Sequence, residues 1–343
     1  SEQRSAEEVY AEQKQIVDLA GQEALENGVT SFQDAGSGYA TIDFLKSLED
    51  RGELPIRLYV MVRGESPADL DARLDEYMMP IEGNDFLTVR GIKQSIDGAL
   101  GPHGAWLLEP YEDLPSSSGL ETTPVDRIEE IARIAWAHGY QMNIHAIGDR
   151  ANREVLDVYQ RIFEEGTGGM DRRWRIEHAQ HLHPDDLPRF AEMGVIPVMQ
   201  GIHGTSDGPW VLKRLGEERA RTGAYMWRDL IDSGAVIANG TDVPVEHISP
   251  IASYYASVTR IMNDGTVFYP DQAMTREEAL KSYTLNGAYA VFEEEVKGSI
   301  TVGKLADITV LDRDILTIPD DEILDTKVDL TIVGGEIRFR REQ

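Results

Sequence analysis

Hydrophobic and polar positions change period along this chain in a regular order. Ser5-Ala-Glu-Glu8 has capping-box spacing. Val9, Ile16, Val17, Ala20, Ala24 and Leu25 follow at helical intervals until Asn27-Gly28 ends the segment. Val29–Asp34 then reads as a short strand, and further strands are predicted at Arg57–Val62, Leu87–Lys93, Gln141–His145, Arg173–His178, Val195–Gln200 and Val236–Asp242. Amphipathic stretches lie between them, at Ala40–Arg51, Asp126–His138, Asn152–Glu164, Pro184–Met193 and Met226–Ser233. Such alternation predicts an α/β fold, a parallel sheet whose strands are joined by crossover helices. After Ala290 the pattern turns to Gly-punctuated β segments over Gly298–Asp312, Val328–Val333 and Glu336–Arg340. The chain therefore divides into a main body over 1–297 and a small β unit over 298–343, too small to stand alone.

Two features favour a TIM-type (β/α)8 barrel over an open doubly wound sheet. No Gly-rich phosphate loop follows the first strand. In addition Asp34, Lys93, His145, His178, Gln200 and Asp242 all stand at the C-terminal ends of predicted strands, where such a barrel keeps its chemistry. A barrel of this type has eight strands, whereas seven are predicted here and a helix comes first. The expectation is a barrel that begins just after its first strand.

Composition narrows the function classes. With 33 Lys+Arg against 61 Asp+Glu the net charge is −28, which argues against nucleic acid or an anionic membrane as partner. The absence of cysteine removes a disulfide scaffold and a thiol nucleophile, so any metal must rest on histidine, carboxylate or something rarer. No apolar run is long enough to span a bilayer and no basic-then-apolar leader opens the sequence; the expected compartment is the cytoplasm. Lysine contributes only 8 of the 33 basic residues. An acid-rich, lysine-poor surface suits a saline habitat, and an ordinary acidic protein fits equally well.

The strand ends carry the candidate chemistry. His145, in Asn143-Ile-His-Ala-Ile-Gly-Asp149, and His178, in Arg175-Ile-Glu-His-Ala-Gln180, end consecutive strands. Either alone reads as a hydrogen-bonded core histidine. Parallel neighbours lie about 4.8 Å apart, however, so the two rings can share a metal ion. Asp242, in Asn239-Gly-Thr-Asp-Val-Pro, reads as a turn or helix cap, or as a carboxylate that binds a metal and takes a proton from its water. Lys93 reads as a snorkelling surface lysine, or as a desolvated amine that adds CO2 and becomes a two-oxygen metal ligand.

These stretches resemble the amidohydrolase superfamily of metal-dependent hydrolases, in particular the branch of N-substituted formamide deformylases. The matching segments run in order through the whole chain: Gly28–Asp34, Gly91-Ile-Lys93 with Asp97–Gly101, His145–Ala151, Arg175–Gln180, Gly240-Thr-Asp242 and Gly298–Asp307. The resemblance implies a (β/α)8 barrel, a small β-sandwich built from both chain ends, and one or two divalent ions, usually zinc. It implies that Lys93 is a carbamylated bridging ligand, that His145 and His178 bind the more exposed ion, and that Asp242 binds the buried ion and serves as general acid and base. The reaction so implied is attack of metal-activated water on an amide-like carbonyl, formamide or cyclic amide included.

One departure from the family pattern is substantial. The His-x-His pair that ends the family's first strand is missing upstream of Gly28, and His181-Leu-His183 sits in a loop before Pro184. The expectation is a C-terminal portion of a longer protein, with edge strands open to a second copy or to a missing N-terminal segment. Two alternatives follow: an incomplete, inactive barrel fragment that needs or binds a partner chain, and a metal-free isomerase or lyase using Lys93 as a Schiff-base amine. His203, His247 and Asp97 are the substrate-binding candidates for a small molecule. The Asp97–Glu121 connection reads as a lid or pocket wall, and Asp34 and Gln200 as residues that support others.

Overall fold

The computed structural model describes residues 4–166 and 171–342. The leading helix, α1 (Ala6–Glu26), is started as its sequence predicts. Glu8 N donates to Ser5 Oγ, and Ser5 N donates to the Glu8 carboxylate at 2.7 Å. Gly28, at φ 78°, turns the chain out of the helix.

Seven parallel strands follow, β1 (Ser31–Ser37), β2 (Arg57–Val62), β3 (Leu87–Ser95), β4 (Gln141–Ala146), β5 (Arg175–His178), β6 (Ile196–Met199) and β7 (Ala238–Asn239), paired in sequence order. Crossover helices separate them: α2 (Tyr39–Glu49), α3 (Pro67–Tyr77), α4 (Val125–His138), α5 (Asp149–Glu165), α6 (Leu187–Met193), α7 (Gly201–Ser206), α8 (Gly208–Gly223) and α9 (Trp227–Asp232). Most turn an apolar stripe inward, as α4 does with Ile128, Ile131, Ala132 and Ala135, whereas the short α7 buries Gly201, His203, Gly204 and Thr205. Beyond β7 come α10 (Pro250–Thr259), α11 (Arg276–Tyr283) and α12 (Leu285–Tyr289). The predicted β7, Val236–Asp242, shrinks to Ala238–Asn239, and Asp242, at φ 58°, stands outside the extended region.

The sheet is curled, and one hydrogen bond measures how far. Arg175 Nη1 on β5 donates to Gln33 Oε1 on β1 at 2.6 Å. Four strand spacings of about 4.8 Å would hold these strands roughly 19 Å apart in a flat sheet, beyond the reach of the two side chains. The strands therefore wrap a common interior. With seven strands among the described residues, and β1 and β7 each paired on one side, the wall is a half-barrel rather than a shown closed barrel of eight.

Polar groups line this interior and are matched within it. Tyr59 Oη donates to Gln141 Oε1 at 2.9 Å, and Gln141 Nε2 donates to Ala290 O at 2.7 Å. At the N-terminal ends of the strands the segment after α12 forms a floor. There Thr88 Oγ1 donates to Glu293 Oε1 at 2.8 Å, Lys297 Nζ donates to Ser31 Oγ at 2.9 Å, and Lys297 pairs with Glu293. Gly91 admits this packing: a Cβ there would lie 2.6 Å from Asn143 Nδ2.

A second sheet of three antiparallel strands, β8 (Ile308–Leu311), β9 (Val328–Val333) and β10 (Glu336–Arg340), takes the order β10-β9-β8. The β segment expected from Gly298 onward starts only at Ile308. Gly298 at φ 88° and Gly303 at φ 97° fold the intervening residues into turns, which leave Ile300 and Val302 exposed. A buried bidentate pair ties this sheet to the half-barrel. Arg57 Nε donates to Asp307 Oδ2 at 2.7 Å and its Nη2 to Asp307 Oδ1 at 3.1 Å, with side chains 2% and 4% exposed. Asp307→Ala strands the guanidinium without a counter-charge, and a loss of about 3–5 kcal/mol in urea unfolding is expected. Arg57→Met combined with it should recover part of that loss; a single-variant cost under about 1 kcal/mol would count against the pair's role.

Candidate functional site

The interior-facing residues of β3, β4 and β5 rise to one rim. Lys93 is level with Asn143 and Ser95 with His145 in the β3–β4 register, while Ala146 is level with His178 in the next. Alternation along each strand turns Lys93 and His145 to the same face. The His145 and His178 rings come within 4.6 Å, centroid to centroid. His203 lies 6.0 Å from His178 in a stacked arrangement, and its Nε2 is 3.7 Å from Asp242 Oδ2.

His203 is held here by α7, which starts directly after β6. Asn239 Oδ1 accepts from Gly201 N at 2.8 Å at the helix start. A Cβ at Gly201 would lie 2.0 Å from Ser257 Oγ and 2.5 Å from Ser253 O, so only glycine lets α7 approach α10 this closely. His178, its successor Ala179 and Asp242 have φ of 78°, 43° and 58°. Left-handed backbone at non-glycine residues costs on the order of 1–3 kcal/mol each and clusters at functional sites.

The electrostatics follow from burial. Lys93, 4% exposed, has its amine pushed down to about 8 by desolvation, with Glu177 and Asp242 opposing. Burial likewise drives the His178 imidazole well below its usual range, helped by His145, His203 and Lys93, so it stays neutral. Burial raises the Asp242 carboxyl above the usual carboxylate range, against the pull of His203, His145 and Lys93. Beneath them Arg175 and Glu177 form a buried pair at 2.8 Å.

Of the residues singled out from sequence, Lys93, His145, His178, His203 and Asp242 gather at this rim. Gln200 lies directly against them, its Oε1 2.7 Å from His178 Nδ1, and the remaining candidates are placed differently. Asp97 is not open to a substrate: its side chain is fully buried. It accepts from Trp106 N at 2.9 Å, Ile147 N at 3.0 Å and Gly148 N at 2.8 Å, and its Oδ1 faces His145 Nε2 at 3.4 Å. His247 is exposed and accepts from Ser249 N at 3.1 Å within its own turn. Asp34 accepts from Ser37 Oγ at 2.6 Å. The Asp97–Glu121 connection is a packed wall beside the rim, fastened where Leu108 N donates to Asp149 Oδ1 at 2.9 Å and Ala151 N to Trp106 O at 3.2 Å. His183 caps a short 3₁₀ turn as its place before Pro184 suggests, accepting from Asp185 N at 3.2 Å. Sequence reading missed Gln180 and Glu177. The charges of Arg175-x-Glu177, two apart on a strand and so on one face, were the available signal for the latter.

The donors at the rim suit a divalent ion. His178, His203 and Asp242 each offer an atom within 4.8 Å of the others. Nitrogen and carboxylate oxygen are the ligand types that zinc and its neighbours take. His145 Nε2 and His203 Nε2 are buried and lack a hydrogen-bond partner.

A profile of the amidohydrolase family matches residues 2–339. The chain belongs to the amidohydrolase family. This amidohydrolase is 30% identical over 293 residues to a putative amidohydrolase, YtcJ, of Bacillus subtilis, covering 84% of this chain and 53% of that protein. It is 26% identical over 317 residues to the N-substituted formamide deformylase of Arthrobacter pascens, covering 92% of this chain and 58% of that one. A crystal structure of a metal-dependent hydrolase from Pyrococcus horikoshii superposes with a TM-score of 0.79 at 30% identity, over 91% of this chain and 62% of that chain. The chain thus spans about half the length of the curated relatives it matches. Among the described residues no helix is long and apolar enough to cross a membrane.

The depressed amine of Lys93 makes a stability prediction with a definite sign. In CO2-free, chelator-treated buffer the folded chain releases the Lys93 proton near pH 8 and the unfolded chain near 10.5. Between those values only the unfolded state holds the extra proton, so this residue's contribution to stability rises with pH. Lys93→Met, which removes the buried cation, should be at least as stable as the parent at pH 7, and the difference should shrink by pH 10.5. A melt in which Lys93→Met loses more than about 1 kcal/mol at pH 7 would contradict this.

Proposed function

We propose that this protein is a metal-dependent hydrolase that cleaves C–N bonds of small amide-like substrates, N-substituted formamides or cyclic amides. The observation that carries the reading is the convergence of Lys93, His145, His178 and Asp242 at one rim of a curled parallel sheet, in a chain of the amidohydrolase family. The name of the Arthrobacter relative supports the bond type.

In this reading His145, His178 and Asp242 hold a divalent ion, most simply zinc, with Lys93 as a fourth ligand after carbamylation. Burial favours the neutral amine, which is the form that adds CO2. The amine nitrogen bonds to carbon, one proton leaves, and a carboxylate replaces the cation. When bound, the ion supplies Lewis acidity and an acidified water. The chain's own groups do the rest. Asp242, whose proton affinity burial has raised, takes the proton released as water adds to the carbonyl carbon. It then delivers that proton to the departing nitrogen as the C–N bond breaks, leaving an amine and a carboxylic acid (formic acid from a formamide), which gives up its proton to the amine or to solvent. His203 faces Asp242 across 3.7 Å, close enough to bond the substrate's oxygen, and the Trp106 wall screens one side. The proposal extends to assembly: β1 and β7, each paired on one side, can take a strand from a second copy or from another segment of a longer protein.

Metal analysis and a formamide panel test the activity. After expression in zinc-, iron- and manganese-supplemented medium the protein should hold close to one ion or more per chain. Asp242→Asn should lower turnover of an N-substituted formamide by about 10²–10⁴-fold. Less than roughly a tenth of an equivalent of metal in correctly folded protein would overturn the reading.

A further inference from the structure

His203 and Asp242 face each other across 3.7 Å at the rim, and each begins a turn that leads away from it. Asp207 follows His203 by four residues, its N–H donating to His203 O at 2.9 Å. The two side chains therefore share one face, about 5–6 Å apart along the helix axis. Glu246 follows Asp242 by four residues, its N–H reaching Asp242 O at 3.4 Å. The inner pair is thus continued by an outer pair of carboxylates, Asp207 and Glu246, both half-buried where His203 is 6% exposed. No cation of the chain answers this outer pair. On α8 and α9 acids meet arginine, Asp113 with Arg214 and Glu278 with Arg228. Among the described residues neither Asp207 nor Glu246 has a Lys or Arg partner. Asp207 is aimed instead by Tyr225, whose Oη donates to Oδ2 at 2.9 Å. It stands at the N-cap of α8 yet takes no amide from that helix's first turn. Burial raises its carboxyl above the usual carboxylate range and Glu246 adds to the rise, against Tyr225 and His203. Glu246 also acts on the buried Tyr225 hydroxyl, which burial and Asp207 hold well above its usual range. Two negative groups are thereby kept close in a partly desolvated place, and a cation between them would relieve both. Beside them His203 Nε2, buried and without a hydrogen-bond partner, is left to bond the uncharged part of the same ligand.

We propose that Asp207 and Glu246 determine specificity by binding a cationic group on the amine portion of the substrate, with Tyr225 positioning Asp207. The substrate class is an amide whose nitrogen substituent ends in a primary amine or guanidine about 5–6 Å from the scissile bond, such as the N-formyl derivative of a short diamine. The proposal rests on the hydrolase reading above for turnover but not for binding. An organic cation suits the outer pair better than a metal ion does. Among the described residues only His178, His203 and Asp242 bring three donor atoms within 4.8 Å of one another, so Asp207 and Glu246 offer two charged acceptors rather than a coordination shell. An ammonium or guanidinium needs no more than that, since each N–H can bond one carboxylate oxygen. The net charge of −28 acts in the same direction, repelling anionic amides and gathering cationic ones at the mouth of the site.

The test compares N-(3-aminopropyl)formamide with its uncharged counterpart of equal size, N-butylformamide, on the full 343-residue chain. Turnover is measured on zinc-loaded protein, and binding by calorimetry on the same chain stripped of metal. The charged amide should be favoured about 10-fold or more in kcat/KM, mainly through a lower KM. That preference should shrink several-fold between about 0.05 M and about 0.5 M salt. Asp207→Asn keeps an acceptor for Tyr225 and Glu246→Gln keeps the side-chain size, so each removes charge with little change of shape. Each should lower the charged-to-uncharged ratio about 10-fold, and Asp207→Glu, which restores the charge, should recover most of it. Equal use of the two amides by the parent protein, a comparison that needs no variant to fold, would overturn the proposal. So would a preference that both neutral variants keep. If neither formamide is turned over, the hydrolase reading falls and calorimetry decides the subsite alone. Tighter binding of the charged amide, lost in both neutral variants, upholds it; equal binding or none overturns it.

Discussion

Arg175 holds the interior together. It is fully buried, with its guanidinium shared between Glu177 on its own strand and Gln33 four strands away. A cation so placed is tolerable only with its partners in reach, and the sheet must curl to bring Gln33 there. The curl has a functional consequence. Strand ends that would form a row in a flat sheet become an arc, and side chains from β3, β4, β5 and the segment after β7 face a common space. Lys93, His145, His178 and Asp242 are neighbours because of that curvature.

Much of this was legible in the chain. The strands from β2 to β6 are short apolar runs between turn residues, and their positions matched within two residues. The polar residue at the end of each run identified the rim, because in a parallel sheet buried on both faces a titratable strand end has few other reasons to exist. What escaped notice depends on contacts that no local pattern carries. Asp97 stood in a suggestive Asp-Gly motif and was assigned to substrate. Its oxygens are instead filled by backbone amides from the start of the wall and from the β4–α5 turn. Gln180 is a neutral residue two past His178, and its relation to His203 arises only once α7 packs against α10. The turns at Gly298 and Gly303 broke an alternating pattern that reads equally well as a strand.

Two kinds of interaction hold the site in place, and they differ in tolerance. The helices outside the half-barrel bury ordinary aliphatic surface, which accepts volume-conserving exchange. Within the half-barrel, pairs such as Tyr59 with Gln141 and Arg175 with Glu177 are hydrogen-bonded polar groups matched to each other, where removing one partner leaves the other unsatisfied at about 1–3 kcal/mol. The rim is therefore rigid from below. Its variable side is the Trp106 wall, fastened mainly through backbone groups to Asp97 and Asp149, which lets side-chain identity there change without loosening the attachment.

The left-handed backbone at His178 and Asp242 bears on how such a sequence drifts. Glycine would sit at both places with less strain, and an inert descendant, released from any need for an imidazole or a carboxylate, would gain robustness by adopting it. His178→Gly and Asp242→Gly would therefore relax the backbone while erasing the imidazole and the carboxylate, so at these two positions conformational ease and chemical capacity pull in opposite directions.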